Sequence, residues 1–264
     1  MPDHAVHIER SAAAAWPAAR TETTAGWLLR HTPGVPRRRS NSALPPAPEQ
    51  RPEGTLDTVA AFYRAAGLPV TVQVSPAERH AVLDAALADR GYRREAPTLV
   101  LTAPVGPAVP GGAHPGPVRI DDRASPGWLA AYQALNGPAD TSTIADVVLA
   151  RVPAPAAFAR VAVDGRDVAI GLFVADGEWA GVFCMTTDPG HRRRGLARTV
   201  LGAGARWAAG HGCAGLYLQV EQDNLAARYL YEQAGFTHSH SYHYRVAGSS
   251  TSSHYTESLQ DLRK

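Results

Sequence analysis

The chain has little of what several classes of protein require. Only two of its 264 residues are cysteine, so it cannot build a disulfide framework, and we expect a reducing compartment. Its formal net charge is only +2 and its two arginine triplets are short local runs, which does not indicate a nucleic acid partner. No apolar run is long enough to span a membrane, and the opening residues lack the basic and then apolar pattern of a signal peptide. We therefore expect a cytoplasmic protein that binds neither membrane nor nucleic acid.

The most informative segment, residues 186–197, joins an apolar strand-like run to an amphipathic helix. Backbone N–H groups at a helix start, the positive end of the helix dipole and flanking arginines together form an anion site. Gly195 lets the backbone approach phosphate oxygens because it has no Cβ, and Ala197 is the next smallest choice. The alternative for this short pattern alone is a solvated arginine turn. The predicted ligand is a pyrophosphate, and the predicted binding residues are Arg192, Arg193, Arg194, Gly195, Leu196 and Ala197.

A second motif follows the strand predicted over residues 216–220. Asn224 and Tyr231 are seven residues apart and share one helix face, with Ala227 on the same stripe. Their separation along the axis is about 10 Å, comparable to part of an extended pantetheine arm. Tyr229 points away from this face and is expected to pack. The alternative for Tyr231 is a core tyrosine whose hydroxyl is satisfied locally.

Together these two segments resemble the GCN5-related N-acetyltransferase (GNAT) family. Residues 189–197 are similar to that family's Pro-x-x-Arg-x-x-Gly-x-Gly/Ala loop, and residues 224–236 are similar to its Asn-x-x-Ala-x-x-Leu-Tyr-x-x-x-Gly-Phe helix and turn. The resemblance covers roughly the last half of the chain before the tail. It implies that the loop holds the pyrophosphate of acetyl-CoA, and that backbone groups of the preceding strand pair with pantetheine. Those backbone groups belong to Met185, Thr186 and Thr187, and an N–H among them is expected to stabilise the carbonyl oxygen.

The chemistry assigns roles to particular side chains. An alkyl ammonium with a pKa of about 10.4 must lose a proton before it attacks a thioester, and the departing thiolate must gain one. Tyr231 is the predicted general acid. The base is not identified: Glu221 is the first candidate and Glu178 the second, and either could instead be a surface carboxylate or part of a helix cap. Cys184 is better explained as a small buried strand residue than as an acyl-carrying nucleophile.

The chain is predicted to be an α/β protein of two tandem GNAT-like domains, each a mixed, mostly antiparallel sheet flanked by helices. Both halves show strand, helix, strand, helix, a Gly-aromatic pair (Gly91-Tyr92 and Gly235-Phe236), and strand. The N-terminal half carries prolines and two glutamates at residues 45–54, where a phosphate site would lie, so we expect no second acyl-CoA site. Some members of the family carry such a degenerate N-terminal module. The predicted boundaries are residues 1–103, a linker at 104–117, a catalytic domain at 118–247 and a polar tail at 248–264.

Three histidines fall near the end of the predicted fold. His238 and His240 are two apart, which places them on one face of a strand, and His243 follows. No carboxylate or cysteine stands at a convincing metal-ligand spacing, so we predict no metal site. By analogy alone, the histidines flank the place where the acceptor enters.

The sequence therefore predicts an acetyl-CoA-dependent N-acetyltransferase that moves acetyl directly to a primary amine of a small molecule or protein. Two alternatives stay open: a non-catalytic acyl-CoA sensor or interaction module, and an acyltransferase for longer acyl groups. We expect a monomer or a homodimer.

Overall fold

The computed structural model describes residues 4–106, 117–136 and 141–248. Within these ranges it has eleven strands and seven α-helices. The strands are β1 Arg20–Thr24, β2 Trp27–His31, β3 Ala43–Leu44, β4 Thr71–Val74, β5 Arg93–Pro104, β6 Arg119–Asp121, β7 Ala156–Val163, β8 Arg166–Asp176, β9 Trp179–Thr187, β10 Gly215–Glu221 and β11 Thr237–Val246. The helices are α1 His4–Ala15, α2 Leu56–Ala65, α3 Ala81–Asp89, α4 Pro126–Asn136, α5 Thr141–Val147, α6 Leu196–Gly210 and α7 Leu225–Gln233.

All eleven strands join one mixed sheet, in the order β1-β2-β3-β4-β11-β5-β10-β9-β8-β7-β6. Two neighbouring pairs are parallel, β3 with β4 and β9 with β10, and the others are antiparallel. The mixed, mostly antiparallel α/β architecture is confirmed. The two halves share a single sheet, which the sequence did not reveal.

The sheet has an internal two-fold relationship about its central pair, β5 and β11. Going outward, β4 corresponds to β10, β3 to β9, β2 to β8 and β1 to β7. Wherever two neighbouring strands of one half are parallel, the corresponding two strands of the other half are parallel, and the same holds for antiparallel neighbours. The last strand of each half lies between two strands of the other half, since β5 pairs with β10 and β11, and β11 pairs with β4 and β5. The N-terminal half is therefore part of the sheet that builds the C-terminal half.

Period-two alternation along β10 separates two cores. Leu216, Leu218 and Val220 face one core, which also contains Leu196 of α6 and Tyr231 of α7. Tyr217 faces the other, under α1 and α4. A third core, around the buried Trp27 and Tyr63, lies within the N-terminal half. The pattern of strand residues thus assigns α6 and α7 to one face of β10 and α1 to the opposite face.

Local structure departs from the sequence prediction in the N-terminal half. The sequence also predicts a strand over residues 38–44, but the observed strand is confined to Ala43–Leu44, because Arg38–Ser40 forms a 3₁₀ turn. Asn41 supports this turn: its amide nitrogen donates to the Val35 carbonyl oxygen at 2.6 Å, and its side-chain oxygen accepts from the Thr32 N–H at 2.8 Å. Such side-chain bonds to the backbone compete with a strand ladder. Helix α1 and strand β1 were not predicted.

Most of the predicted linker at 104–117 and nearly all of the predicted tail lie outside the described residues. The boundaries between the predicted domains stay a prediction. Among the helices of the described residues, none is both long and apolar enough to cross a membrane.

Asp84 of α3 links the N-terminal half to β11 through hydrogen bonds. Its carboxylate accepts hydrogen bonds from His243 Nε2 at 2.6 Å and from Arg245 Nε and Nη2 at 2.7 and 3.0 Å. Partial burial acts to raise the pKa of this carboxyl, but the hydrogen bonds from Arg245 and His243 outweigh it and lower the pKa to about 2. Asp84 is therefore ionised and paired throughout the neutral pH range.

We expect Asp84→Asn to lower the free energy of unfolding by about 2 kcal/mol, because charge-assisted hydrogen bonds to two largely buried side chains are lost. Denaturant unfolding at neutral pH measures this change. Asp89→Asn, at the exposed end of the same helix, is the matched control and should change the free energy by less than about 0.5 kcal/mol. Equal effects of the two substitutions would contradict the assignment.

The stability difference between wild type and Asp84→Asn should also depend on pH. The folded pKa of Asp84 lies below its ordinary value of 3.8, so the stabilisation is complete above that value. It is lost as the pH falls through the folded pKa of about 2. Unfolding curves of the two proteins, measured at steps across this pH window, check the direction of the change. A difference in unfolding free energy that disappeared on raising the pH would contradict it.

Candidate active site

Strands β9 and β10 separate partway along their length and leave a wedge between them. Their parallel ladder runs from Trp179 opposite Gly215 to Val182 opposite Leu218 and then stops, although both strands continue. The register of β9 against β8 shifts beyond Phe183, and Cys184 there has a φ of 53°. This bulge bends the strand away from β10. The backbone edge of β9 that faces the wedge beyond Val182 is consequently open to a ligand.

Beyond the wedge, β9 leads into the predicted anion loop. Asp188 organises its start: the Asp188 carboxylate accepts from the Gly190 N–H at 2.8 Å and from Arg166 Nη2 at 2.9 Å. The Gly190 hydrogen bond is the main cause that lowers the pKa of Asp188, and His191 and Arg166 add to it. The Asp188 carboxylate thus fixes the backbone conformation at the start of the loop.

Gly195 is the N-cap of α6 and has a φ of 79°, a left-handed conformation that favours glycine. Within the described part of the chain, the backbone N–H groups of Gly195, Leu196 and Ala197 donate to no carbonyl. The side chains of Arg192, Arg193 and Arg194 are exposed around them. The loop therefore presents free donors and positive charge together, as an anion site requires.

The corresponding loop of the N-terminal half offers the opposite chemistry. It forms two short 3₁₀ turns, Pro48–Gln50 and Pro52–Thr55, each opening on a proline that has no N–H. Glu49 pairs with Arg79 at 2.6 Å. His80 Nε2 lies 3.0 Å from the Pro46 carbonyl oxygen and ties the loop to the start of α3. The glutamates and the prolines without an N–H disfavour a phosphate at this loop.

Helix α7 carries the second predicted motif. Asn224 is its N-cap, and its side-chain oxygen accepts from the Ala227 N–H at 3.1 Å, so part of its role is structural. Tyr231 is buried on the inner face of α7, in the core that Leu196 lines and against which Met185 and Ala227 pack. The structure thus brings four of the predicted residues to one face of the wedge.

The Tyr231 side chain is 8% exposed, and its ring packs 5.7 Å from that of Phe236, measured between centroids. Burial raises the pKa of its hydroxyl to about 12. Among the described residues its hydroxyl has no hydrogen-bond partner, and burial is the only cause of its pKa shift. Tyr231 therefore holds a proton at neutral pH and has its donor free. Tyr229 is 62% exposed rather than packed, which corrects the sequence expectation.

Neither of the two candidate bases lies beside Tyr231. Glu221 is exposed at the end of β10, and alternation places it on the Tyr217 face of the sheet, opposite Tyr231. Glu178 precedes β9 at the end remote from the loop, about 23 Å along the strand from Met185. Distance therefore argues against Glu178.

The three histidines have separate surroundings. A register shift in β11 between His238 and His240 breaks the alternation, so His238 is exposed and His240 is 4% exposed. The expectation that they share a face is wrong for this reason. His238 Nε2 lies 2.9 Å from Ser241 Oγ, His240 Nε2 lies 3.0 Å from Glu9 Oε1, and His243 binds Asp84.

Sequence reasoning missed a polar cluster on the face of the wedge opposite Tyr231. Arg39 Nη2 donates to Gln219 Oε1 at 2.9 Å, and its guanidinium carbon lies 5.6 Å from the ring centroid of Trp16 and 5.7 Å from that of Phe183. The buried Glu9 of α1 completes the cluster. Arg39 belongs to an arginine run without a motif, and its partner in β10 is 180 residues away, so no local signal distinguished it.

Residues 5–245 match a family model described as "Probable histone acetyltransferase Rv0428c C-terminal". The chain is also similar to YobR of Bacillus subtilis (strain 168), described as an uncharacterized N-acetyltransferase. The two are 30% identical over 245 residues, which cover 90% of this chain and 97% of YobR.

Solved structures resemble it in fold. A GCN5-related N-acetyltransferase from Kribbella flavida has a TM-score of 0.69 at 18% identity and covers 94% of this chain and 97% of its own. A tandem GNAT protein from the clavulanic acid biosynthesis pathway has a TM-score of 0.61 at 13% identity, covering 92% of this chain and 89% of its own. At such identities these two likenesses concern the fold alone.

Proposed function

This chain belongs to the GCN5-related N-acetyltransferase family, and we propose that it binds one acetyl-CoA in the wedge and transfers acetyl directly to a primary amine. The observation that carries the proposal is the loop at the start of α6, where free backbone donors and three exposed arginines meet beside an open strand edge. A pyrophosphate fits that loop, and pantetheine fits the edge of β9 at Met185, Thr186 and Thr187.

The N-terminal half is proposed to be a degenerate copy that binds no acyl-CoA. Its loop opens two turns on prolines, which have no N–H, and carries Glu49 and Glu53. The division at residues 104–117 into a degenerate and a catalytic half belongs to the same proposal.

Tyr231 is proposed to donate its proton to the departing thiolate. A thiol has a pKa of about 8.5, so transfer from a hydroxyl whose pKa is about 12 is uphill by about 5 kcal/mol. The transfer must therefore accompany C–S cleavage and cannot precede it. The amine must also lose its proton, and Glu221, on the opposite face of β10, is the proposed base, acting directly or through water.

Direct transfer is favoured over an acyl-cysteine intermediate. Burial raises the pKa of the Cys184 thiol to about 12, although Arg39 and Arg37 act against this rise. The reactive form of a cysteine is the thiolate, which is almost absent at neutral pH with such a pKa. We expect mass spectrometry after incubation with acetyl-CoA alone to find no acetylated cysteine.

The test of the proposed function is a calorimetric titration of the full chain with acetyl-CoA, followed by assays of acetyl transfer to a panel of primary amines. We expect one site per chain, because the corresponding N-terminal loop opens its two turns on prolines, which have no N–H, and carries Glu49 and Glu53. Two sites would contradict the degenerate assignment of the N-terminal half. No binding would contradict the acetyl-CoA site itself, and binding without transfer to any amine would favour a sensor.

A further inference from the structure

Arg39 lies where β9 and β10 separate, at the point that we call the mouth of the wedge. Val182 and Leu218 are the last residues paired between β9 and β10, and Arg39 contacts the next residue of each strand, Phe183 and Gln219. It lies on the face opposite α6 and α7, which cover the side of Tyr231. Because α6 and α7 cover the side of Tyr231, we expect an acceptor to reach a thioester in the wedge from the side of Arg39.

The charge of Arg39 has no anionic partner among the described residues. A guanidinium has five N–H donors, and here one of them donates to the neutral Gln219 amide oxygen, with the neutral Tyr242 hydroxyl nearby. Burial raises the pKa values of Tyr242 and Cys184, so neither supplies a negative charge at neutral pH. No carboxylate of the described chain is within ion-pair distance of Arg39.

Glu9 is the carboxylate of the cluster, but other groups already form hydrogen bonds with it. It accepts hydrogen bonds from Gln73 Nε2 at 2.7 Å and Gln219 Nε2 at 3.4 Å and lies 3.0 Å from His240 Nε2. Gln73 in turn accepts from the buried Arg30 at 2.7 Å. Gln73 thus links Arg30 to Glu9, and Gln219 links Arg39 to Glu9. With two arginines and one glutamate, the cluster keeps an excess of positive charge.

A charge removed from water is costly unless it is paired. Arg39 is held between the rings of Trp16 and Phe183, which are 4% and 6% exposed, and is itself half-buried. Its position is therefore recessed yet open to a ligand. A planar guanidinium with free donors suits a carboxylate, which it can bind through two parallel hydrogen bonds.

We propose that Arg39 binds a carboxylate of a small-molecule amine acceptor, so that the N-terminal half supplies acceptor recognition to the C-terminal half. The inference rests on the proposed function for the identity of the ligand as an acceptor. The recessed position between two buried rings favours a small molecule over a protein surface.

The direct test compares phenylacetate with its neutral isostere phenylacetamide, titrated into the full-length protein without acetyl-CoA and followed by tryptophan fluorescence. Phenylacetate should bind at least about tenfold more tightly, because only it forms charge-assisted hydrogen bonds. Arg39→Gln should remove the difference. Arg20→Gln, which removes the same charge from the exposed strand β1, should preserve it.

Equal binding of the two compounds to the wild-type protein, or no binding of either, would overturn the proposal, and neither result depends on a variant that folds. A preference that persisted in Arg39→Gln, with an unchanged unfolding temperature, would also overturn it. Since phenylacetate has no amine and no acetyl-CoA is present, this result is independent of whether the protein acetylates amines.

A kinetic test applies to each amine that proves to be a substrate. A carboxylate-bearing amine is compared with the corresponding primary amide. Arg39→Gln should raise KM for the carboxylate at least about tenfold and leave kcat, and the KM of the amide, within about twofold. A general loss of kcat for both compounds would indicate a structural role instead.

Discussion

Replacing Gly195 by glutamate is expected to reduce the affinity for acetyl-CoA more than about 100-fold, to the point where calorimetry detects no binding. Two physical effects combine. The left-handed φ of 79° disfavours any residue with a Cβ, by about 1–2 kcal/mol. The added carboxylate also brings negative charge to the free N–H groups that are proposed to hold the pyrophosphate, where like charges repel.

Gly54→Glu is the matched control, because Gly54 lies two residues before α2, in the loop that corresponds to the loop before α6. A Cβ added at Gly54 meets no atom within 4 Å, and its φ lies outside the left-handed region. We expect that variant to bind acetyl-CoA like the wild type. Gly195→Ala, which adds the Cβ without the charge, should fall between the two. Wild-type affinity in a folded Gly195→Glu protein would place the phosphate site elsewhere.

Replacing Tyr231 by phenylalanine should lower kcat by about 100-fold while the affinity for acetyl-CoA changes less than twofold. Loss of a positioned general acid commonly costs 10²–10⁴ in rate. The hydroxyl bonds no described residue, so its removal leaves no partner unsatisfied and the folded state should be as stable as before. Steady-state kinetics and an acetyl-CoA titration on the same preparation separate the two quantities.

Tyr229→Phe removes the same hydroxyl from the exposed side of the same helix and should leave kcat unchanged. If Tyr231→Phe turned over as fast as the wild type, the acid assignment would be withdrawn and the thiolate would take its proton from water. If acetyl-CoA binding were lost as well, Tyr231 would act in binding and not in proton transfer.

The features that sequence reasoning predicted are local. Gly195 and the arginines beside it lie within a few residues of a helix start, and the spacing of Asn224, Ala227 and Tyr231 follows from helical geometry alone. Backbone conformation within a dozen residues depends mainly on those residues. For the same reason, the prolines and glutamates at residues 45–54 gave the expectation that this loop binds no phosphate, which stays a prediction.

The features that it missed depend on contacts between residues far apart in the chain. Arg39 meets Gln219 across 180 residues and Glu9 meets His240 across 231, because β5 and β11 pair across the two halves and α1 lies over the strands beside them. Simple alternation also failed at His238 and His240, where a register shift in β11 turns one side chain outward.

The sequence by itself determined the family, the α/β character, the loop that precedes α6 and the helix that carries Tyr231, since each rests on short-range spacing and on residue chemistry. Only the tertiary structure decided that the two halves form one sheet and that residues of the N-terminal half stand at the mouth of the wedge. The physical reason is that the pairing of β5 and β11 with strands of the other half, and the buried charge cluster, are stabilised by contacts between residues far apart in the chain. No local sequence pattern identifies the partners in such contacts.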